Sequence, residues 1–311
     1  MLAKESGAGH PAAAAHAARK ERITKSRALR RSEWLLVAYF SYTTALAAWL
    51  PLRASIPAVT VAMNLIVFAG LWILPRAEAL RGRRFFSVMR DWYPLAMILL
   101  AYREMGWFAP ATHTYELENA WISWDRLVLN DWGVRAAIES FGPFIPSVLE
   151  IAYSLVYAVP VFGMAMLYVY KRPERADRFS VTFLVGTLAA YSLFPYFPSE
   201  PPRTVFAGTD LPSYLTIFRQ FNLWLVGGYG IHTSVFPSAH VAGAFCGAFG
   251  MMRLLPEHRW VGRLLLVLAV LIATATVYGR YHFVVDALAG FGLAAAAELA
   301  GRALDRSAAI S

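Results

Sequence analysis

Long apolar runs alternate along this chain with short clusters of charge. A helix needs about 20 predominantly apolar residues to cross the hydrocarbon core of a bilayer. Eight segments meet or approach that length: Trp34–Leu52, Ile56–Leu74, Trp92–Phe108, Pro146–Tyr170, Phe179–Phe197, Ser238–Leu255, Val261–Tyr278 and Phe283–Gly301. The third and the last two are somewhat short. The pattern predicts an all-α integral membrane protein with about eight transmembrane helices.

The polar clusters between these segments give an orientation. Arg and Lys accumulate in short loops on the cytoplasmic side of a membrane. In an eight-span arrangement, 22 of the 29 Lys and Arg residues fall on one side. They lie before Trp34, in the loops after the second, fourth and sixth spans, and after the last. Both termini are therefore expected in the cytoplasm, in a bacterial-type inner or plasma membrane. Two long connections, Ala109–Ile145 and Pro198–Pro237, are expected outside.

Composition agrees. Hydrophobic residues make up 58% of the chain and charged residues 16%, with a mean hydropathy of +0.46. Soluble domains carry nearer about a quarter charged residues. The net charge of +9 is explained by the loop asymmetry, so no nucleic-acid partner is implied. The single cysteine, Cys246, excludes an intramolecular disulfide and a cysteine metal cluster. The basic, Ala-rich N-terminus lacks the apolar core and cleavage site of a signal peptide.

Four regions are expected: a disordered basic tail over 1–33, N-terminal spans with an outer interfacial segment over 34–145, a catalytic membrane domain over 146–301, and a tail over 302–311. The interfacial segment reads ENAWISWDRLVLNDWGVRAAIESFG and mixes Trp, Leu and acidic residues. A helix lying on the outer leaflet as a surface anchor fits that mixture.

Three stretches carry candidate chemistry, all at outer ends of spans: YFPSEPPRT (Tyr196–Thr204), SVFPSAHVAGAFCG (Ser234–Gly247) and YGRYHFVVDALAG (Tyr278–Gly290). Ionisable residues at membrane depth are costly and mark functional sites. His282 and Asp286 are four apart at a helix start and share a face, with Cβ atoms about 5–6 Å apart. A carboxylate accepting from one imidazole nitrogen frees the other as a base or nucleophile. Ser238 suits an N-cap, and the first turn it opens offers free N–H groups to an anion. His240 lies in that turn. Arg203 and Arg280 lie at the same depth, and arginine forks match phosphate oxygens. Singly, each has a plain structural reading; together they form a checklist of nucleophile, orienter, acid and anion clamp.

PSAH followed by HFVVDALAG on successive spans resembles the second and third motifs of the type-2 phosphatidic acid phosphatase superfamily. The resemblance covers roughly Phe179 to Gly301 and implies that the last four to five helices form that family's bundle. It implies that His282 is a nucleophile forming a phosphohistidine, that Asp286 orients it, that His240 protonates the leaving oxygen and that Ser238 helps bind phosphate. The plain phosphatase branch has an Arg six residues before the nucleophile, where this chain has Thr276; Arg280 stands two before it instead. The first motif reads FPSEPPR, without the family's Lys-x6-Arg-Pro form. These features, with LEIAYSLVYAVP (Leu149–Pro160), look more like the inositol phosphorylceramide and sphingomyelin synthase branch.

The expected function is thus transfer of a phosphoryl or phospho-headgroup between lipid-linked substrates, with Arg203, Arg280 and the Ser238 turn holding the phosphate oxygens. The substrate expected is a phospholipid or a polyprenyl- or sphingolipid-type phosphate. No metal or other cofactor is expected. Hydrolysis, with water as acceptor, is the first alternative. A metal triad of His240, His282 and Asp286 is another. A non-enzymatic reading is a lipid-binding membrane protein or a transporter using Arg103 and Glu104, although an ion pair between those two near the outer boundary is the simpler expectation.

Overall fold

A computed structural model describes residues 28–310, apart from 54, 82–83, 111 and 209. Most of the expected N-terminal tail, residues 1–27, lies outside the described residues. The described chain is predominantly helical: α1 Arg31–Trp49, α2 Ser55–Arg81, α3 Arg84–Phe108, α4 Glu116–Arg126, α5 Val134–Glu139, α6 Phe144–Ser154, α7 Ala158–Val169, α8 Ala176–Leu193, α9 Pro202–Val205, α10 Ile217–Tyr229, α11 Ala239–Leu254, α12 Arg259–Tyr278 and α13 Val284–Ile310. One 3-10 turn, Leu155–Tyr157, joins α6 to α7, and a short π-helix, Leu127–Asp131, follows α4.

All eight apolar segments fall on helices. Among the described residues, five helical stretches are long and apolar enough to cross a membrane: Ser55–Leu80, Phe144–Val169, Pro173–Tyr196, Pro256–Tyr278 and Val284–Ser307. The chain is an all-α integral membrane protein. α11 has only 16 residues, short of the roughly 20 that a lipid-facing crossing requires. It is the centre of the bundle, packed against α8, α12 and α13 and touched by α7. Its Ala- and Gly-rich sequence lets neighbours approach from every side. A Cβ on Gly247 would stand 2.4 Å from Val159 Cγ1, so that position has room only for glycine. α13 runs to Ile310, so residues 302–310, expected as a tail, continue the last helix.

The N-terminal helices α1 and α3 pack against α8, and α2 packs on both of them. A polar knot ties their charged ends together. Arg90, only 2% exposed, donates to Glu33 (2.6 Å) and Glu78 (2.7 Å). Arg30 and Tyr168 both donate to Asp91, and Ser32 donates to Asp177 at the start of α8. At the other end, the expected ion pair between Arg103 and Glu104 does not form. Adjacent helical residues point about 100° apart, so Arg103 is exposed while Glu104 is buried, with no hydrogen-bond partner for either carboxylate oxygen among the described residues.

Candidate active site

The fold brings the second and third motifs together at one end of the bundle. α11 begins at Ser238, whose hydroxyl oxygen accepts from Val241 N–H (3.3 Å) as an N-cap. The Ser238 N–H donates to the Asp286 carbonyl (3.0 Å), which locks the start of α11 to the first turn of α13. Gly290 permits this approach: a Cβ there would lie 2.4 Å from the Ser238 carbonyl oxygen.

Between α12 and α13 runs the loop 279–283. The Thr276 carbonyl receives both Tyr281 N–H (2.9 Å) and His282 N–H (3.0 Å). Thr276, where the resemblance to the phosphatase branch calls for an arginine, thus anchors the loop through its backbone. His282 Nδ1 lies 3.3 Å from Asp286 Oδ2, and that oxygen also accepts from Phe283 N–H (2.9 Å). His282 Nε2 lies 3.5 Å from His240 Nδ1. The expected His282–Asp286 pair and the facing His240 are therefore adjacent. Asp286 is fully buried and His282 is 6% exposed. Burial, reinforced by the positive charge of Arg203, holds His282 below its ordinary imidazole range. At neutral pH it is uncharged, and with its Nδ1–H directed at Asp286 it presents a free lone pair at Nε2.

His240 is held by aromatic rings. It stacks on Tyr153 (centroids 5.1 Å apart), and Tyr153 stacks on Tyr281 (4.1 Å). Tyr157 meets His240 edge-on at 6.0 Å. Beneath this pile lies a buried polar network. Glu150 on α6 accepts from Arg219 (2.9 Å), Asn222 (2.7 Å) and the Tyr281 hydroxyl (2.7 Å), and Arg219 also donates to the Gly279 carbonyl (3.1 Å).

The two expected arginine clamps differ. Arg203 is partly exposed, with its guanidinium 5.4 Å from the Tyr281 ring centroid, and has no carboxylate partner among the described residues. Its N–H donates to the Arg280 carbonyl (3.1 Å). Arg280 is 1% exposed and forms an ion pair with Asp125. Its φ of 62° is left-handed, which costs a non-glycine residue on the order of 1–2 kcal/mol. Its guanidinium is already taken up by a carboxylate.

The segment 109–145 does more than anchor a surface. α4 turns Glu118 and Asp125 inward, both at most 1% exposed. Glu118 accepts from Glu200 N–H (2.7 Å) and pairs with His113 (2.5 Å). Asp125 accepts from Val284 N–H (2.8 Å) as well as from Arg280. Sequence reasoning missed Asp125, Glu118, Glu150, Tyr153 and Arg219. Glu150 carried a signal, since it is a carboxylate inside an apolar span. The others are identified by partners distant in the chain. Among the described residues, no group of three or more His, Cys, Asp and Glu side chains is arranged to hold a metal ion.

A family model described as PAP2 superfamily matches residues 120–300, from within α4 to near the end of the bundle. A PA-phosphatase related-family protein of Dictyostelium discoideum is 29% identical over 126 residues, covering 37% of this chain and 21% of that protein. The matched part is thus about a fifth of that relative's length. No solved structure matches.

Proposed function

The chain belongs to the PAP2 superfamily, and from that premise we propose that it transfers a phosphoryl or phospho-headgroup between lipid-linked substrates through a phosphohistidine on His282. The observation that carries this reading is the placement of His282 between Asp286 at 3.3 Å and His240 at 3.5 Å. His282 Nε2 attacks phosphorus and the bond to the lipid alcohol oxygen breaks. His240, facing His282 through Nδ1, gives that oxygen a proton. A phosphoryl group entering between the two imidazoles parts them. In the second half, His240 takes the proton of an acceptor alcohol, whose oxygen attacks phosphorus and releases His282. Positioning and charge stabilisation are the main protein contributions in phosphoryl transfer.

Arg203 is the clamp for the equatorial oxygens, because it is the expected arginine whose guanidinium has no carboxylate partner among the described residues. The Ser238 hydroxyl, having accepted from Val241, keeps its proton to donate. The reaction needs no metal. The catalytic unit is the expected 146–301 region together with α4. The asymmetry of basic residues supports a site on the outer face, with both termini cytoplasmic. The departures at Thr276 and in FPSEPPR favour an alcohol acceptor of the kind used by the inositol phosphorylceramide synthase branch. The Dictyostelium relative is named as PA-phosphatase related, which keeps water as the second reading.

A comparison of all lipids in membranes with and without the protein tests this. A new phosphorylated lipid is expected. Free phosphate with loss of a lipid phosphate would instead indicate hydrolysis, and an unchanged lipid profile would contradict both readings.

A further inference from the structure

We propose that Asp125, on α4, is a positioning residue for the nucleophile: it grips the loop on both sides of His282 and so sets the alignment of His282 with Asp286 and His240. The proposal rests on the phosphohistidine reading above.

Glu118 and Asp125 are seven residues apart, two helical turns, and share one face of α4. That face is turned into the protein, while Trp124 beside it is exposed. Buried carboxylates are costly unless paired, and each of these is paired with chain close to the site. The two oxygens of Asp125 divide between residues flanking the nucleophile. Oδ2 pairs with Arg280, two residues before His282. Oδ1 accepts from the N–H of Val284, two residues after it, at 2.8 Å. Val284 is the first residue of α13, the helix that carries Asp286. Its N–H is one of the donors a helix start leaves without an internal partner, so Asp125 caps that helix from a distant element.

Two features point beyond a simple packing role. Arg280 is buried and held in a left-handed conformation, which needs surrounding structure to impose it. Its ion pair with Asp125 supplies such a constraint. The contacts that define the site, 3.3 Å and 3.5 Å on either side of the His282 ring, are also near the outer limit for hydrogen bonds, so a small shift of the loop breaks them. Asp125 touches neither imidazole and acts through the backbone. Glu118 does the same for the loop before α9 through Glu200 N–H.

The test uses the full chain in detergent micelles. Asp125→Asn keeps an acceptor for Val284 N–H but removes the charge facing Arg280, and Asp125→Ala removes both. Misplacing a reacting group by about 1 Å costs up to about 100-fold in rate. We expect kcat to fall by about 10-fold in Asp125→Asn and about 100-fold in Asp125→Ala, with KM within about twofold, because the chemical step is affected rather than binding. The loss should be equal for a lipid substrate and an activated aryl phosphoester. A second readout needs no turnover: carbethoxylation of His282 by diethyl pyrocarbonate, followed by peptide mass spectrometry, should accelerate in both variants as the loop loosens. His258, stacked on Tyr170 beside the cytoplasmic loops, is the internal control and should not change. Unchanged kcat and unchanged His282 reactivity in folded Asp125→Asn would overturn the proposal, as would a rise in KM alone. If Asp125→Ala does not fold, Asp125→Asn decides. If the wild-type protein transfers no phosphoryl group at all, the functional reading fails, and the carbethoxylation rates still decide the role of Asp125.

Discussion

Gly290 offers a sharp test of how the two motif helices are held together. Its α-carbon faces the N-cap of α11, and a Cβ there would lie 2.4 Å from the Ser238 carbonyl oxygen and 3.2 Å from the Val241 Cβ. Ordinary contact begins near 3.4 Å, so Gly290→Ala must push α13 away from α11 by about 1 Å (from 2.4 Å). Overpacking of this kind typically costs about 1–3 kcal/mol of stability. The catalytic effect should be larger in proportion. The displaced helix carries Asp286, whose carbonyl accepts Ser238 N–H at 3.0 Å and whose side chain orients His282. A 1 Å error at a reacting group is worth up to about 100-fold in rate. The control is Gly292→Ala on the same helix, where a new Cβ meets nothing within 4 Å. There, alanine should stabilise the helix by up to about 1 kcal/mol through its better propensity. The assay is kcat with an activated aryl phosphoester, alongside thermal unfolding of both variants in the same detergent. A Gly290→Ala protein with wild-type kcat would refute the claim that this contact sets the site.

Three further outcomes follow. Arg203→Ala should lower kcat about 100-fold, as loss of one oxyanion donor does, with Arg203→Lys recovering only part because the ammonium lacks the fork; equal activity of Arg203→Ala and wild type would remove Arg203 from the clamp. Turnover should survive EDTA, and loss on chelation that a divalent ion restores would favour a metal site. Since burial and Arg203 depress the His282 pKa, the neutral nucleophile persists as pH falls below the usual imidazole value, so the acid limb of kcat/KM attributable to His282 should lie below about pH 6.5; a limb that shifts above that value and disappears with His282 replaced by another nucleophile would contradict the assignment.

How much of this was legible in the sequence depended on range. The eight apolar runs all fell on helices, because a lipid-facing or fully buried helix is marked by composition alone, while the short helices between them were not marked. His282 and Asp286 were legible as a pair because four residues is one helical turn, and geometry at that distance is local. His240 and Ser238 were legible because a helix start leaves a capping signature. The Arg280–Asp125 pair was not: its partners are 155 residues apart, and an arginine near a motif reads the same whether it meets a phosphate or a carboxylate. Arg280 was therefore expected to bind phosphate, and the structure pairs it with Asp125. The acidic and apolar mixture of α4 likewise announced an amphipathic helix without saying which face turned inward; the acidic residues Glu118 and Asp125 did. Glu150 and Arg219, 69 residues apart, follow the same logic.

The central claim is that His282 carries the phosphoryl group. It is tested most directly by rapid quenching of the protein with a labelled phospholipid or aryl phosphoester under alkaline conditions, followed by peptide mass spectrometry. The account predicts phosphate on His282, stable to alkali and labile to acid, absent in His282→Ala. In His240→Ala it should form faster from the aryl ester than from the lipid, since a good leaving group needs little protonation. Phosphate trapped on any other residue, or trapped as before in His282→Ala, would contradict it.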